Sequence, residues 1–281
     1  MTMEAGLMHR RRETVSHVNK VSYANKIIKK KKCKGPKKPA APKVPTTLQE
    51  LFDSCRNMFK GQAGTVPLPS DVQKLCSILD KMKPADVGLS EELQFFKPKT
   101  AVKGAPRVTY TTIYQSDNFS LCIFFLPAKA VIPLHNHPGM TVFSKLLLGK
   151  MHIKSYDWVN PPANSDNSTP SSKLRLARLK ANSIFTSPCK TNVLYPTAGG
   201  NIHEFTAITP AVLDVIGPPY SKDDGRDCSY YKDFPYITSS TGETPMTTEE
   251  GNCYGWLKEI DTPENSKMDG IEYLGPKVIE T

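Results

Sequence analysis

The sequence predicts a mainly β protein, a sandwich or jelly-roll barrel preceded by a few short helices, and three observations carry that reading. From about residue 107 the apolar pattern takes a period of two, in segments rich in β-branched and aromatic residues. These segments are short and separated by turn residues such as Asn160-Pro161-Pro162 and Gly199-Gly200-Asn201, the spacing of a sandwich or barrel. Finally, 24 prolines and 17 glycines in 281 residues, with 38% hydrophobic and 23% charged, suit strands and turns better than long helices. No internal repeat is evident.

The first segment, residues 1–45, holds 13 Lys/Arg against only Glu4 and Glu13, whereas the other 236 residues carry 24 bases against 25 acids. The net charge of +10 is therefore a basic arm on an almost neutral body. That distribution argues for an address or a weak anionic contact, not for a nucleic-acid-binding face on the fold. With four prolines and little apolar side chain the arm is expected to be disordered. Its run Lys29 to Lys32 resembles a nuclear localisation signal, so nucleus and cytoplasm are the expected locations. Seven cysteines, odd in number and without a CxxC pair, fit a reducing compartment. No apolar run is long enough for a signal peptide or a bilayer span, so no membrane partner is expected.

Residues 46–281 are expected to form a single domain. Thr47-Leu48-Gln49-Glu50 reads as a capping box, and Leu48, Leu51, Phe52, Cys55, Met58 and Phe59 recur at helical spacing. Ser70 and Gln73 open a second helix similarly, with a stripe of Val72, Leu75, Cys76, Leu79 and Met82 limited by Pro84. These helices, within about 48–92, should pack outside the barrel. Strands are expected at 108–114, 121–126, 142–148, 151–157, 174–180, 192–195, 202–208 and 212–216, within a barrel spanning about 105–236. The tail, 237–281, is expected to wrap the barrel, with an edge strand near Tyr254-Gly255-Trp256-Leu257.

The chemistry centres on Pro133-Leu134-His135-Asn136-His137-Pro138-Gly139-Met140. In extended backbone, residues i and i+2 share a face, so His135 and His137 can offer both imidazoles to one ion while Asn136 points away. Such a pair also arises by chance as two wet turn histidines. Downstream, Gly199-Gly200-Asn201-Ile202-His203 sets a further histidine after a Gly-rich turn, where a returning strand can bring it beside the first two.

The HxH, then Gly149 after an apolar strand, then a Pro…Gly…His turn resemble the two motifs of the cupin superfamily. The block from about 107 to 236 resembles the plant cysteine oxidases, relatives of animal cysteamine dioxygenase. The resemblance rests on His-Asn-His-Pro-Gly-Met, Tyr156-Asp157-Trp158, the Gly-Gly-Asn-Ile-His turn and the run Val212 to Tyr220. It implies a cupin jelly-roll barrel and an Fe(2+) ion held by His135, His137 and His203. Its implied substrates are O2 and the N-terminal cysteine of proteins, notably group VII ethylene response factors, whose oxidation feeds the N-degron pathway under oxygen control. Many cupins add a glutamate ligand four or five residues after the second histidine; Thr141 and Val142 stand there instead. Three neutral imidazoles leave a divalent ion at its full charge, which favours an anionic sulfur donor. Three protein ligands leave room for an exogenous thiol and O2, and transfer of both oxygen atoms to sulfur gives a sulfinic acid.

By the same resemblance Asp214 and Tyr220 are candidate catalytic residues. Asp214 can orient the substrate amine or a ligand histidine, or can simply cap the Gly217-Pro218-Pro219 turn; Tyr220 can present its hydroxyl to the pocket or pack under that turn. Cys228 and Tyr230, also two apart, are positions at which related thiol dioxygenases are associated with a thioether. His9, His17 and His152 read as arm or ordinary strand residues. Two alternatives stay open on the residues alone: a dioxygenase of small thiols such as cysteine or cysteamine, and a non-catalytic cupin acting as a nuclear binding protein.

Overall fold

A computed structural model describes residues 45–60, 64–90, 107–159, 174–208, 211–236 and 253–280. The arm expected over 1–45 lies, apart from Pro45, outside these residues.

Two helices come first, α1 (Thr46–Met58) and α2 (Pro69–Lys81). Neither uses the capping box expected of it. Pro45 is the N-cap of α1, and its carbonyl already accepts the amides of Leu48 (3.1 Å) and Gln49 (3.2 Å), which leaves Thr47 inside the helix. The side-chain Nε2 of Gln49 donates to the carbonyl of Ile279, 3.0 Å away in the C-terminal tail. In α2 the N-cap is Leu68 and Pro69 fills the first turn, where a missing N–H removes only an unpaired donor. The expected apolar stripes are the buried faces: Leu48, Leu51, Phe52 and Cys55 on α1, and Leu75, Ile78 and Leu79 on α2.

Twelve strands follow among the described residues: β1 (Thr109–Gln115), β2 (Ser120–Phe125), β3 (Val131–Asn136), β4 (Thr141–Leu148), β5 (Lys150–Trp158), β6 (Leu174–Thr186), β7 (Asn192–Leu194), β8 (Ile202–Ala207), β9 (Ala211–Gly217), β10 (Tyr230–Pro235), β11 (Tyr254–Ile260) and β12 (Asp269–Gly270). They form a six-stranded sheet, in the order β12-β1-β2-β9-β4-β7, and a closed ring, β10-β11-β6-β5-β8-β3. This is the jelly-roll architecture expected from the strand pattern.

The alternation of side chains divides the interior into three layers. Leu121, Ile123 and Phe125 of β2, with Leu213 and Val215 of β9, face the helices and share one core with Phe52, Leu75 and Leu79. Phe124 and Val212, from the opposite face of the same strands, meet Ile132, Met151, Ile153 and Phe205 of the ring in a second core between the sheets. Leu134, Tyr156, Ala177, Ile202 and Leu257 fill the ring itself. Strands β3 and β8 are thus a shared wall: Leu134 and Ile202 face into the ring, His135, His203 and Phe205 face the sheet, and a register shift between Ile132 and His135 lets Ile132 face the sheet as well.

Two expectations for the second half are corrected. No strand is expected between Pro219 and Tyr254, yet β10 is a barrel strand, and β11 is not the expected edge: it pairs with β10 on one side and β6 on the other. The tail therefore closes the ring rather than wrapping it. Tyr231, Asp233 and Leu257 alternate inward as in any strand, but the Pro-, Asp- and Lys-rich surroundings mask that period.

Candidate metal centre

The centre is assembled from a strand pair and a turn. His135 lies directly opposite His203 in the antiparallel register of β3 with β8. His137, two residues beyond His135, projects from the same side just past the end of β3. All three are buried, and one ligand atom from each lies within 4.8 Å of the others. The Nε2 atoms of His137 and His203 are 3.3 Å apart, and the ring of His203 stacks on Phe205 at 4.4 Å.

Hydrogen bonds decide which nitrogen of each ring is free. The Nδ1 of His135 lies 2.8 Å from the carbonyl of Pro133, which can only accept, so Nδ1 carries the proton. The Tyr220 hydroxyl donates to the carbonyl of Asn136 at 2.8 Å, so it meets the Nδ1 of His137, at 2.9 Å, as an acceptor. His203 bonds the backbone of Gly200 while its Nε2 faces His137, which assigns Nδ1 to the backbone bond. Every Nδ1–H is thus tied to oxygen and every Nε2 lone pair points inward, the arrangement by which outer groups orient metal-binding imidazoles. Burial holds the rings neutral: it lowers His135 to about 4, and it lowers His137 and His203 well below the ordinary value, helped by the neighbouring imidazoles. Neutral imidazole is the metal-binding form, so the residues present fit a divalent ion. Among the described residues, no carboxylate belongs to the group.

The turn before His203 is built around two side chains whose roles were not legible in the sequence. Asp157 accepts the amides of Gly199 (3.1 Å), Gly200 (2.8 Å) and Asn201 (3.1 Å). Asn201 then clamps the backbone of His137 from both sides, accepting its N–H at 3.1 Å and donating to its carbonyl at 2.8 Å. Gly200 sits at φ +84°, where a Cβ would stand 2.6 Å from Ser155 Oγ, so glycine is required there. An Asx residue after two glycines was the available signal, but its partner, 64 residues earlier, is visible only in three dimensions.

Of the candidate catalytic residues, Tyr220 contacts His137 directly; its ring reaches solvent (37% exposed) while its hydroxyl is enclosed. Burial raises its pKa well above the ordinary range, with Cys228, Tyr230 and Asp214 adding to the shift. Asp214 pairs with Cys122 and Ser144 in register on the face of the six-stranded sheet that looks toward the ring. It is 5% exposed, and its Oδ1 has no hydrogen-bond partner. Burial lifts its pKa to about 7 against the opposing bond from Ser144. It does not cap the turn at Gly217, because it is held inside the sheet. Cys228 bonds both Tyr220 and Tyr230, and the ring of Tyr230 is 6.4 Å from that of His135. His152 is an ordinary strand residue, 2.8 Å from Asn182 Oδ1, whereas His9 and His17 lie outside the described residues.

This site and fold agree with what the chain resembles as a whole: residues 78–278 match the profile of the PCO_ADO family. The chain belongs to the PCO_ADO family. It is 50% identical over 236 residues to plant cysteine oxidase 2 of Arabidopsis thaliana, covering 83% of each chain. It is 28% identical over 243 residues to 2-aminoethanethiol dioxygenase of Mus musculus, covering 80% of this chain and 91% of that one. Among solved structures, an RmlC-like cupin protein of Desulfovibrio desulfuricans is 17% identical, covering 44% of this chain and 97% of its own, with a TM-score of 0.24. Membership of the PCO_ADO family makes this a chain of the thiol dioxygenase class.

Proposed function

We propose that the protein is a non-haem iron(II) dioxygenase that converts the N-terminal cysteine of proteins to cysteine sulfinic acid. In this reading group VII ethylene response factors are substrates, and their oxidation in nucleus and cytoplasm feeds the N-degron pathway, so that protein lifetime follows oxygen supply. The observation that carries the chemistry is the set of three buried, neutral imidazoles with every Nε2 turned inward and no carboxylate among them. The half-identity to a plant cysteine oxidase across most of the chain supports the substrate.

His135, His137 and His203 would hold the iron, which when bound would supply a cationic centre able to favour the thiolate form of a thiol and to bring it together with dioxygen. The overall change balances as RSH + O2 → RSO2H, with both oxygen atoms ending on sulfur and no external reductant. The chain's own groups position the reactants. Tyr220 and the Pro133 carbonyl hold the tautomers of His137 and His135, so that both lone pairs stay on the centre. Asp214, with an unpartnered buried oxygen, takes the substrate ammonium: the cation holds its carboxylate ionised, and the carboxylate aims the amine and its neighbouring thiol. Among the described residues the metal-binding group contains no carboxylate that would compete with the thiolate.

Mass spectrometry of a peptide beginning with cysteine, incubated in air with the iron-loaded protein, tests this reading. A gain of two oxygen atoms, both labelled from oxygen-18 gas and absent in His203→Ala, is the expected result. Reaction of free cysteine alone would assign a small-thiol enzyme instead, and reaction of neither substrate with iron demonstrably bound would overturn the proposal.

A further inference from the structure

The outer surface of the closed ring has two halves. Over β3, β8 and β5 it is covered by the six-stranded sheet and carries the histidines; over β10, β11 and β6 no sheet covers it among the described residues. The halves meet where Tyr230 pairs with His135, so both side chains lie on the same face. By alternation, that face of β10 continues through Lys232, Phe234 and Tyr236. At about 3.3 Å per residue it runs from the rim of the metal centre to a point roughly 20 Å away.

The register lays this bare face out in rows. Nearest the rim, Lys232 stands opposite Lys258, both exposed. Phe234, Trp256 and Leu176 form the next row, in which Phe234 is 37% exposed. Beyond it Tyr236 packs at 5.9 Å from Trp256 and 6.0 Å from Tyr254, with Arg178 opposite Tyr254. Directly opposed like charges weaken a sheet, and among the described residues neither lysine has a carboxylate within 4.0 Å. An exposed aromatic row behind an unneutralised cation pair is the chemistry of a binding surface, not of a solvated sheet face.

We infer that this face is a docking site for the segment of the protein substrate that follows the reacting cysteine, an extended stretch carrying acidic residues first and apolar ones after them. The inference rests on the proposed function. Two features select that occupant: the lysine pair calls for carboxylates, and the face is continuous with the metal centre through Tyr230. An extended chain leaving the centre reaches the lysine pair after about three residues and the aromatic row after about five. A single-stranded nucleic acid also stacks on aromatic sheet faces, but a body with 24 bases against 25 acids outside residues 1–45 disfavours it.

The test compares three peptides on the iron-loaded enzyme by oxygen uptake: Cys-Ala-Ala-Glu-Glu-Leu-Ala-Leu-Ala-Ala, its Gln-Gln counterpart, and the tripeptide Cys-Ala-Ala. The glutamate peptide is expected to exceed the glutamine peptide in kcat/KM by about tenfold, through KM. In the exposed double variant Lys232→Glu/Lys258→Glu that advantage disappears and a Lys-Lys peptide gains it, while turnover of the tripeptide is kept. Under anaerobic conditions the glutamate peptide should also quench Trp256, one of two tryptophans, a readout independent of turnover. Equal KM values for the two long peptides, or loss of tripeptide turnover in parallel with the long ones, overturns the docking site. Binding of a thymidine oligonucleotide in place of the glutamate peptide overturns it in favour of nucleic acid. If no peptide is oxidised, the proposed function falls, and the fluorescence arm still decides whether the face binds acidic chains.

Discussion

Asp214→Asn should make the metal-free protein more stable at neutral pH and no more stable in acid. The carboxyl is buried and titrates at about 7 in the fold against 3.8 when exposed. Between those values the native state holds a proton that the unfolded chain has released, so stability falls as pH rises through the window and levels off above it. The window is roughly three pH units wide and each is worth about 1.4 kcal/mol, so the ionised carboxylate costs the fold at most about 4 kcal/mol at pH 8. Asparagine keeps the size and the bond to Ser144 without the charge. Urea unfolding of both proteins from pH 4 to pH 8 measures the difference directly; the three histidines lose stability as pH falls through 6.5, but equally in both, and cancel. The gap should open from near zero to a few kcal/mol. A gap that stays constant across this range would show that Asp214 is not the titrating group and would refute the reasoning. If Asp214 takes the substrate ammonium, the stabilised variant also loses turnover, an exchange expected at functional sites.

Other substitutions probe the support of the centre. Asn201→Ala removes the clamp on His137 and should weaken iron affinity by 10- to 100-fold, as read by metal titration, with far-UV dichroism unchanged. Gly200→Ala meets Ser155 Oγ at 2.6 Å and forces alanine to φ +84°, so a loss of about 1–3 kcal/mol in unfolding is expected, relieved in part by Ser155→Gly. Asp80→Asn strips a carboxylate 3.6 Å from the buried Lys145, which keeps its 2.6 Å bond to the Cys189 carbonyl; the expected loss is about 1–3 kcal/mol at pH 7. Because Asp80 is lowered to about 2 in the fold, that contribution is present above pH 4 and vanishes as the pH falls through 2, where mutant and parent should converge.

Much of the fold is legible locally. Period-two segments from residue 107 mark eight of the strands, β1, β2 and β4 to β9, and helical stripes mark both helices, because a single face of each element is buried. The starts of the helices are not legible: Thr47 and Ser70 have the pattern of caps, but carbonyls of Pro45 and Leu68 already satisfy the first amides. β10 was invisible because its inward residues alternate with Lys232 and an exposed Phe234, so its hydrophobic contrast is low. The face that leaves Phe234 and Trp256 uncovered is likewise a property of sheet order, not of the segments that contribute to it.

The sequence alone determines that His135 and His137 share a face and that His203 follows a glycine turn, since backbone alternation and glycine's freedom act over a few residues. Only the tertiary structure sets His203 opposite His135 and clamps His137 with Asn201, groups separated by more than 60 residues. It alone brings β10 and, from the tail, β11 into the ring and leaves Asp214 buried with an unpaired oxygen. Strand register and ring closure depend on hydrogen bonds between distant segments, and whether a carboxylate is charged depends on what surrounds it. Neither quantity is written in any short stretch of chain.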